Sequence, residues 1–330
     1  MPGHLQERAQ AQHAANILAR SKLPTCATVN PDDPNPSAVP GMDATAARRW
    51  RQLQRTESPW LHEEVATRMV QRLQWFREPP ASWLHWEPVL GGLQTHARLR
   101  EQLPQASWHV MAEQLSLALE ATRESAARSW NPLQWRRAPA ANTLPADGQV
   151  AMLWANMVLH HEPQPLPLLK RWHGLIQTNG FLMFSCLGPD TLRELRVVYA
   201  QAGWPDPAHS FTDMHDWGDM LVHSGFAEPV MDMERITLSY SSASALLQEL
   251  RGLGRNLSLN RHASARGRGW QMRLLQAIEA GLPRDDQGRL LLSFEVIYGH
   301  AYKPVPRVPV SSSQSVSVDA MRAMLRAGRG

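Results

Sequence analysis

Polar residues that could bind a ligand follow two apolar runs in the middle of the chain. Asn156 and the pair His160-His161 come soon after the run 150–154, and Gly188-Pro189 follows the run 181–185. An amide and two imidazoles can donate and accept hydrogen bonds, and an imidazole can exchange a proton near neutral pH. These residues are therefore candidates for binding a polar substrate. For His160 the alternative is a half-buried loop histidine that takes no part in chemistry.

The residues between these two sites predict a strand–helix–strand unit. The apolar runs 150–154 and 181–185 are each long enough for one buried strand. Between them, apolar residues recur at helical spacing: Leu168, Leu169, Trp172, Leu175 and Ile176. Asn179-Gly180 is expected to end this helix, because both residues tolerate the left-handed conformation. Such a unit belongs to a parallel sheet, which binds its ligands beyond the carboxyl ends of the strands.

Composition narrows the class of protein. Of the 330 residues, 43% are hydrophobic and 19% charged, which is typical of a globular chain. No apolar run approaches the ~18 residues of a membrane span, and no basic, aromatic-interleaved module predicts nucleic-acid binding. Two cysteines, Cys26 and Cys186, support neither a disulfide framework nor a metal site, so we expect the reducing cytoplasm.

The chain divides into a central domain and two tails. Residues 1–40 and 304–330 are predicted to be a disordered tail and a flexible tail, because they lack a sustained apolar period. Within the domain, 41–303, the first part (41–80) is predicted to be helical, with Asp43 as an N-cap. A helical and basic insertion at 241–289 precedes the last strand.

From residue 148 onward the chain resembles a known enzyme family. The order is strand, Ala-Asn-Met-Val-Leu-His-His, helix, Asn-Gly, strand and Phe-Ser-x-x-Gly-Pro-x-Thr-Leu-x-Glu-Leu. Further matches are His209-Ser-Phe-Thr-Asp-Met, Leu250-Arg-Gly-Leu-Gly-Arg-Asn and Phe294-Glu-Val-Ile-Tyr. These segments resemble class I S-adenosylmethionine-dependent methyltransferases, and most of all the malonyl-acyl-carrier-protein O-methyltransferases of biotin synthesis.

The resemblance implies a fold, a reaction and a partner. The fold is α/β, a seven-stranded doubly wound, Rossmann-like sheet with an N-terminal helical lid and an insertion before the last strand. The reaction is methyl transfer from S-adenosylmethionine to the free carboxylate of a malonyl thioester, and the partner is an acyl carrier protein. Neither the residues nor the resemblance indicates an oligomeric state.

The resemblance also assigns site residues. The cofactor-binding positions are His85, Glu87, Gly91, Gly92, Glu113, Asn142 and Asn156. Asn156 and His160 are the catalytic candidates. The substrate-binding candidates are Trp50 in the lid and Arg255, Asn256 and Arg261 in the insertion.

Several cofactor positions depart from the family pattern. His85 replaces the acidic residue that ends the first strand, and Glu87 and Val89 replace two glycines of the following turn. Glu113 lies one place after the expected ribose-binding acid, and Asn142 stands where the family has an aspartate. Glycines let the backbone pass close to a ligand, whereas each Cβ takes up space there. Two interpretations remain open: an active methyltransferase with a reshaped cofactor site, or a catalytically inactive pseudo-methyltransferase that acts by binding or regulation.

Overall fold

The computed structural model describes residue 39 and residues 41–127, 148–262 and 267–306. The strands are β1 (Ser82–Trp86), β2 (Ser107–Met111), β3 (Val150–Ala155), β4 (Ile176–Leu187), β5 (Ala227–Tyr240) and β6 (Leu290–Tyr302). The helices are α1 (Ala44–Arg51), α2 (Trp60–Gln71), α3 (Pro88–Gly91), α4 (Leu93–Gln102), α5 (Leu115–Ala127), α6 (Pro165–Leu175), α7 (Arg193–Gln201), α8 (Met214–His223), α9 (Ala243–Leu253) and α10 (Arg268–Gly281). Short 3₁₀ turns span Arg72–Trp75 and Leu159–His161.

The strands form one mixed sheet in the order β2-β1-β3-β4-β6-β5. The neighbours from β2 to β4 are parallel, whereas β6 pairs antiparallel with both β4 and β5. The α/β prediction is therefore confirmed, with six strands in the described ranges where the sequence predicted seven. Asn142 and the rest of 128–147 lie outside the described residues, as do most of the two predicted tails.

Helices cover both faces of the sheet, as a doubly wound fold requires. Side chains of β3 alternate between two hydrophobic cores: Met152 and Trp154 belong to one, and Leu153 and Ala155 to the other. The first core packs against α2, α7 and α10, and the second against α6 and α8. Because both faces are buried, β3 reads as a continuous apolar run.

The Asn179-Gly180 pair does not end a helix, so that prediction is wrong. Helix α6 ends at Leu175, and both residues lie inside β4, with Asn179 at a φ of 65°. The pairing of β3 with β4 shifts register here. A Cβ at Gly180 would lie 2.6 Å from the carbonyl oxygen of Ala151, so close backbone approach explains the glycine. The same residue types that end helices also build a bulge.

The lid begins as the sequence predicts. Asp43 caps α1, because its Oδ1 accepts hydrogen bonds from the backbone N–H groups of Thr45 and Ala46. None of the helices in the described ranges combines the length and apolar character needed to span a bilayer.

Candidate functional site

The carboxyl ends of β1, β2 and β3 meet at one edge of the sheet. Because these strands are parallel neighbours, the residues that follow them come together. Glu87 follows β1, Glu113 follows β2, and Asn156 and His160 follow β3. The strand pairing thus brings these candidate residues to one edge of the sheet.

The turn after β1 has an unusual backbone conformation. Glu87 lies in the left-handed region, with φ 54° and ψ 58°, and Pro88 then begins α3. A side chain in this region costs roughly 1–2 kcal/mol relative to glycine, and the residue before a proline is further restricted. The turn has therefore kept a glycine-like backbone although it carries a glutamate.

The Glu87 side chain folds over the end of β2. The backbone N–H of Glu113 donates to Glu87 Oε1 at 2.6 Å. Burial raises the pKa of the Glu87 carboxyl group, while the hydrogen bond from Glu113 opposes that shift. This carboxylate therefore projects from a position where the resemblance places a glycine.

The two glycines that remain in this turn are needed for internal packing. A Cβ at Gly91 would lie 3.1 Å from His85 Nε2 and 3.2 Å from the carbonyl oxygen of Asn156. Gly92 has a φ of 132°, and a Cβ there would lie 3.1 Å from Glu63 Oε2. Glu63 in turn accepts hydrogen bonds from the first N–H groups of α4. Neither glycine needs a bound ligand to explain it.

His85 lies inside the protein. It is fully buried, and its Nδ1 lies 3.1 Å from Nδ1 of His96, which is also fully buried. One ring must donate and the other accept, so the two rings carry different tautomers. Burial lowers the pKa of His85 to about 3, so this ring is neutral near pH 7.

Arginine 51, in the last turn of α1, joins the lid to the sheet edge. Its Nε donates to Glu113 Oε2 at 3.2 Å, and a terminal nitrogen donates to Glu162 Oε2 at 2.7 Å. The Nε2 of Gln114 also donates to the carbonyl oxygen of Gln52, at 2.7 Å.

The space left between the lid and the sheet edge is small. This space, which we call the β1–β2 cleft, is lined by Arg51, Arg55, Glu87 and Gln114, among others. Its cavity volume is about 30 Å³. Ligand pockets typically measure ~300–1,000 Å³, so the cleft as it stands is far too small for a cofactor-sized ligand.

Asn156 links three segments at the floor of the site. Its Nδ2 donates to the carbonyl oxygens of His62 and Gly91, and its Oδ1 accepts from the hydroxyl of Ser185. The residue is fully buried. Its polar atoms therefore already have partners, and Asn156 positions the turn around Gly91.

Four buried histidines lie next to the lid: His62, His160, His161 and His209, which we call the histidine cluster. The His160 and His161 rings are 4.0 Å apart between centroids. His209 Nε2 donates to the carbonyl oxygen of His160 at 2.8 Å, and its Nδ1 accepts from the backbone N–H of Leu257. Burial is the main cause that lowers the pKa of each of the four rings, so the cluster is uncharged near pH 7.

Three ring nitrogens of this cluster have no hydrogen-bond partner among the described residues. They are His62 Nε2, His160 Nε2 and His161 Nδ1. His160 Nδ1 accepts from the N–H of Leu187, so its proton lies on Nε2, a free donor. Buried polar atoms without partners are costly. A polar ligand would remove that cost at His160.

The substrate-binding candidates divide into two groups. Trp50 lies 5.7 Å from His161 between ring centroids, and the guanidinium groups of Arg55 and Arg255 lie 4.0 and 5.5 Å from the Trp50 ring centroid. Trp50 and Arg255 therefore adjoin the histidine cluster. Asn256 and Arg261 are instead bonded within the protein, to the carbonyl oxygen of Asp206 and to the carboxylate of Asp43.

Sequence reasoning missed several residues of this site. His209 belongs to a segment that carried the resemblance, but its side-chain partner was not visible in the sequence. Arg51, His62 and Glu162 had no local signal, because each is brought to the site by contacts distant in sequence. Arg55 was also missed, although it contacts Trp50 only five residues earlier.

A buried glutamate of β6 holds the loop after β4. The N–H of Asp190 donates to Glu295 Oε2 at 2.9 Å, and a Cβ at Gly188 would lie 2.6 Å from Glu295 Oε1. Thr191 also bonds the backbone of Glu295. The Gly-Pro-x-Thr segment that carries the resemblance therefore fixes the loop to β6.

Comparison with known proteins decides the family. The chain is 37% identical over 261 residues to the malonyl-[acyl-carrier protein] O-methyltransferase of Gallionella capsiferriformans, covering 75% of this chain and 86% of that protein. This chain belongs to that family. The malonyl-[acyl-carrier protein] O-methyltransferase of Laribacter hongkongensis is also 37% identical, over 75% of this chain and 84% of its own length. A search of protein-family models found no match.

Among solved structures, YcgJ of Bacillus subtilis overlays with a TM-score of 0.47 at 11% identity. It covers 74% of this chain and 99% of its own.

S-adenosylmethionine is the cofactor of the family, and the β1–β2 cleft is too small to admit it while Glu87 and Arg51 keep their present contacts. The turn that should pass close to the cofactor carries the Glu87 carboxylate, which is bonded to the end of β2. The candidate ribose acid, Glu113, is bonded to Arg51. Two residues that the resemblance assigns to the cofactor, Glu87 and Glu113, are thus already bonded within the protein.

Proposed function

We propose that this protein recognises the malonyl thioester of an acyl carrier protein and acts as a malonyl-acyl-carrier-protein O-methyltransferase. The observation that carries the proposal is the histidine cluster. Three segments that resemble the family meet there, contributing His160, His209 and Gly254-Arg255. The proposal includes the cytoplasmic location expected from the cysteine content.

The chemistry of the acceptor suits this cluster. A free carboxylate is already nucleophilic, so positioning and exclusion of water matter more than proton transfer. His160 Nε2–H is a buried donor without a partner among the described residues, and we assign it to an oxygen of the malonyl group. Arg55 and Arg255 lie over the Trp50 ring, which adjoins His161, and so place positive charge at the border of the cluster. The cluster would therefore hold an anionic acyl group in fixed orientation.

The carrier protein is proposed to dock near the insertion. Arg255 and Arg268 are exposed, and Arg261 is half-buried in the same region. Exposed charges mainly raise the association rate with an acidic partner, so binding should weaken as salt rises.

A second candidate function is favoured by one observation. The carboxylate of Glu87 and the guanidinium of Arg51 lie inside the cleft that a cofactor would need. A protein that keeps the acceptor site but cannot hold a cofactor would bind malonyl-acyl carrier protein without modifying it. This is the pseudo-methyltransferase alternative.

The test combines binding with transfer. Purified protein is titrated with malonyl-acyl carrier protein and then incubated with S-adenosylmethionine, and mass spectrometry of the carrier protein detects a methyl ester. Ester formation supports the enzyme, and binding without ester formation supports the second candidate. If the protein neither binds the carrier protein nor forms the ester, both candidate functions are overturned.

A substitution locates the acceptor site. His160→Phe should weaken carrier binding, whereas His160→Gln, which keeps a donor, should retain part of it. His215→Ala is the matched control, because that histidine is 82% exposed on α8. Equal binding by His160→Phe and His215→Ala would show that the histidine cluster does not bind the malonyl group.

A further inference from the structure

We infer that Arg51 is an internal ligand of the β1–β2 cleft, and that it latches a composite lid which must open before a cofactor can enter. The inference rests on the proposed function, because it concerns the control of the same site. It begins from how the lid is built.

The lid consists of two segments that are distant in sequence. These are α1 with its N-terminal flank (residues 41–52) and residues 254–262, together called the composite lid. Met42, Ala47, Trp50 and Leu257 form a small hydrophobic core, separate from the two cores of the sheet. Since the two segments share a core, we expect them to move together.

Polar contacts also join the two segments. Met42 and Ser258 form an isolated β-bridge, and the N–H of Asp43 donates to the carbonyl oxygen of Leu257 at 2.7 Å. Arg261 adds an ion pair with Asp43 at 2.7 Å. The composite lid is thus bonded within itself.

Polar contacts from α1 fasten the lid over the cleft. Arg51 binds Glu113 and Glu162, which follow β2 and β3, and Gln114 reaches the carbonyl oxygen of Gln52. The Arg51 side chain is 29% exposed, so its ion pairs are open to competition by water and ions. Contacts of this kind can break without unfolding the sheet.

Arg51 and a cofactor would compete for one carboxylate. Glu113 is the residue that the resemblance assigns to the ribose, and its Oε2 accepts from Arg51 Nε. Glu162 has no ligand assigned to it, and it contributes to lid closure by accepting a hydrogen bond from Arg51. The ion pair with Glu162 therefore favours the closed lid without being needed for cofactor contact.

This arrangement reduces apparent affinity by a predictable route. If the open form is a minor fraction of the protein, cofactor affinity falls by that fraction. Removing the latch should raise the open fraction, so ligand binding and lid exchange should change together.

The experiment uses Arg51→Gln and Glu162→Gln, with Arg49→Gln as the matched control. Arg49 lies in the same helix and is exposed. Hydrogen exchange of residues 44–52 is measured without ligand, and S-adenosylhomocysteine binding is measured by calorimetry. We expect both latch variants to exchange faster than the control, Arg51→Gln by about tenfold and Glu162→Gln, which loses one ion pair, by about threefold. Arg51→Gln should bind S-adenosylhomocysteine about tenfold more tightly.

The outcomes separate this inference from the proposed function. Unchanged exchange in both latch variants would overturn the inference. Faster exchange without any S-adenosylhomocysteine binding would support the latch and would overturn the proposed methyltransferase activity. Faster exchange in Glu162→Gln is decisive for the latch, because that substitution weakens the lid contact without changing Arg51 or its ion pair with Glu113.

Discussion

Replacing Glu87 by glycine and by alanine separates its backbone from its side chain. Both substitutions remove the carboxylate and its hydrogen bond with the N–H of Glu113. They differ in how they tolerate the backbone, because residue 87 has a φ of 54°. Alanine keeps the left-handed strain, whereas glycine relieves it.

The expected difference follows from that geometry. A non-glycine residue in this conformation costs roughly 1–2 kcal/mol, and glycine loses about 0.5–1 kcal/mol more chain entropy on folding than alanine. Glu87→Gly should therefore be more stable than Glu87→Ala by about 1 kcal/mol, or about 2–4 °C in Tm for a domain of this size. Relative to Glu87, the glycine variant gains strain relief and loses one hydrogen bond, so its stability should change little.

Thermal unfolding of the two variants and the unsubstituted protein measures this difference. Calorimetric titration with S-adenosylhomocysteine follows, because only the glycine variant gives a turn without either strain or a carboxylate. An alanine variant as stable as the glycine variant would refute the reasoning, since it would mean that residue 87 does not hold a left-handed backbone in solution.

Three further predictions follow from other parts of the structure. The pKa values of His85 and His62 are about 3 and about 4 in the folded protein, below the usual 6.5. Between each lowered pKa and 6.5, the unfolded chain therefore binds more protons than the folded protein. The free energy of unfolding should consequently fall as pH drops below about 6.5, by up to about 1.4 kcal/mol per pH unit for each such histidine; urea unfolding measures it, and His85→Leu with His96→Leu should flatten the slope. Gly254→Ala should lower the free energy of unfolding by about 1–3 kcal/mol, because the new Cβ would lie 2.9 Å from His161 Nε2. Gly252→Ala in α9 is the control, because a Cβ there meets open space. Equal melting temperatures for these two variants would contradict the prediction. Glu295→Ala leaves the N–H of Asp190 without its acceptor and should cost about 1–3 kcal/mol in urea unfolding, with partial recovery in Glu295→Gln; no loss would show that the loop after β4 is held by other contacts.

Much of the fold could be predicted because local patterns agreed with tertiary structure. The last strand, expected after the insertion that ends at residue 289, is β6 (Leu290–Tyr302), and the predicted cap at Asp43 is present. Asn179-Gly180 misled because the same conformational freedom serves a helix end and a strand bulge. The deciding contact, between Gly180 and the backbone of Ala151, is distant in sequence.

The site was harder to predict than the fold. The resemblance located His160, Glu87 and Glu113, since each follows a strand that the sequence reveals. The partners of these residues could not be inferred in the same way. Arg51 reaches Glu113 and Glu162 across intervals that carry no periodic signal, and the pairing of His85 with His96 requires α4 to pack against β1. Electrostatic partners depend on packing between elements, which a local pattern does not encode.

The position of β6 in the sheet has a consequence for folding during synthesis. Strand β6 is the last strand in the chain order of the described elements, yet it lies between β4 and β5. Strand β5 pairs with β6 and with no other described strand, so the edge of β5 that pairs with β6 stays unpaired until residues 290–302 leave the ribosome. The strands from β1 to β4 can already pair by then. Non-local pairing of this kind is slow, and exposed strand edges favour aggregation. We therefore expect nascent chains that stop after β5 to depend on chaperones more than any longer or shorter fragment.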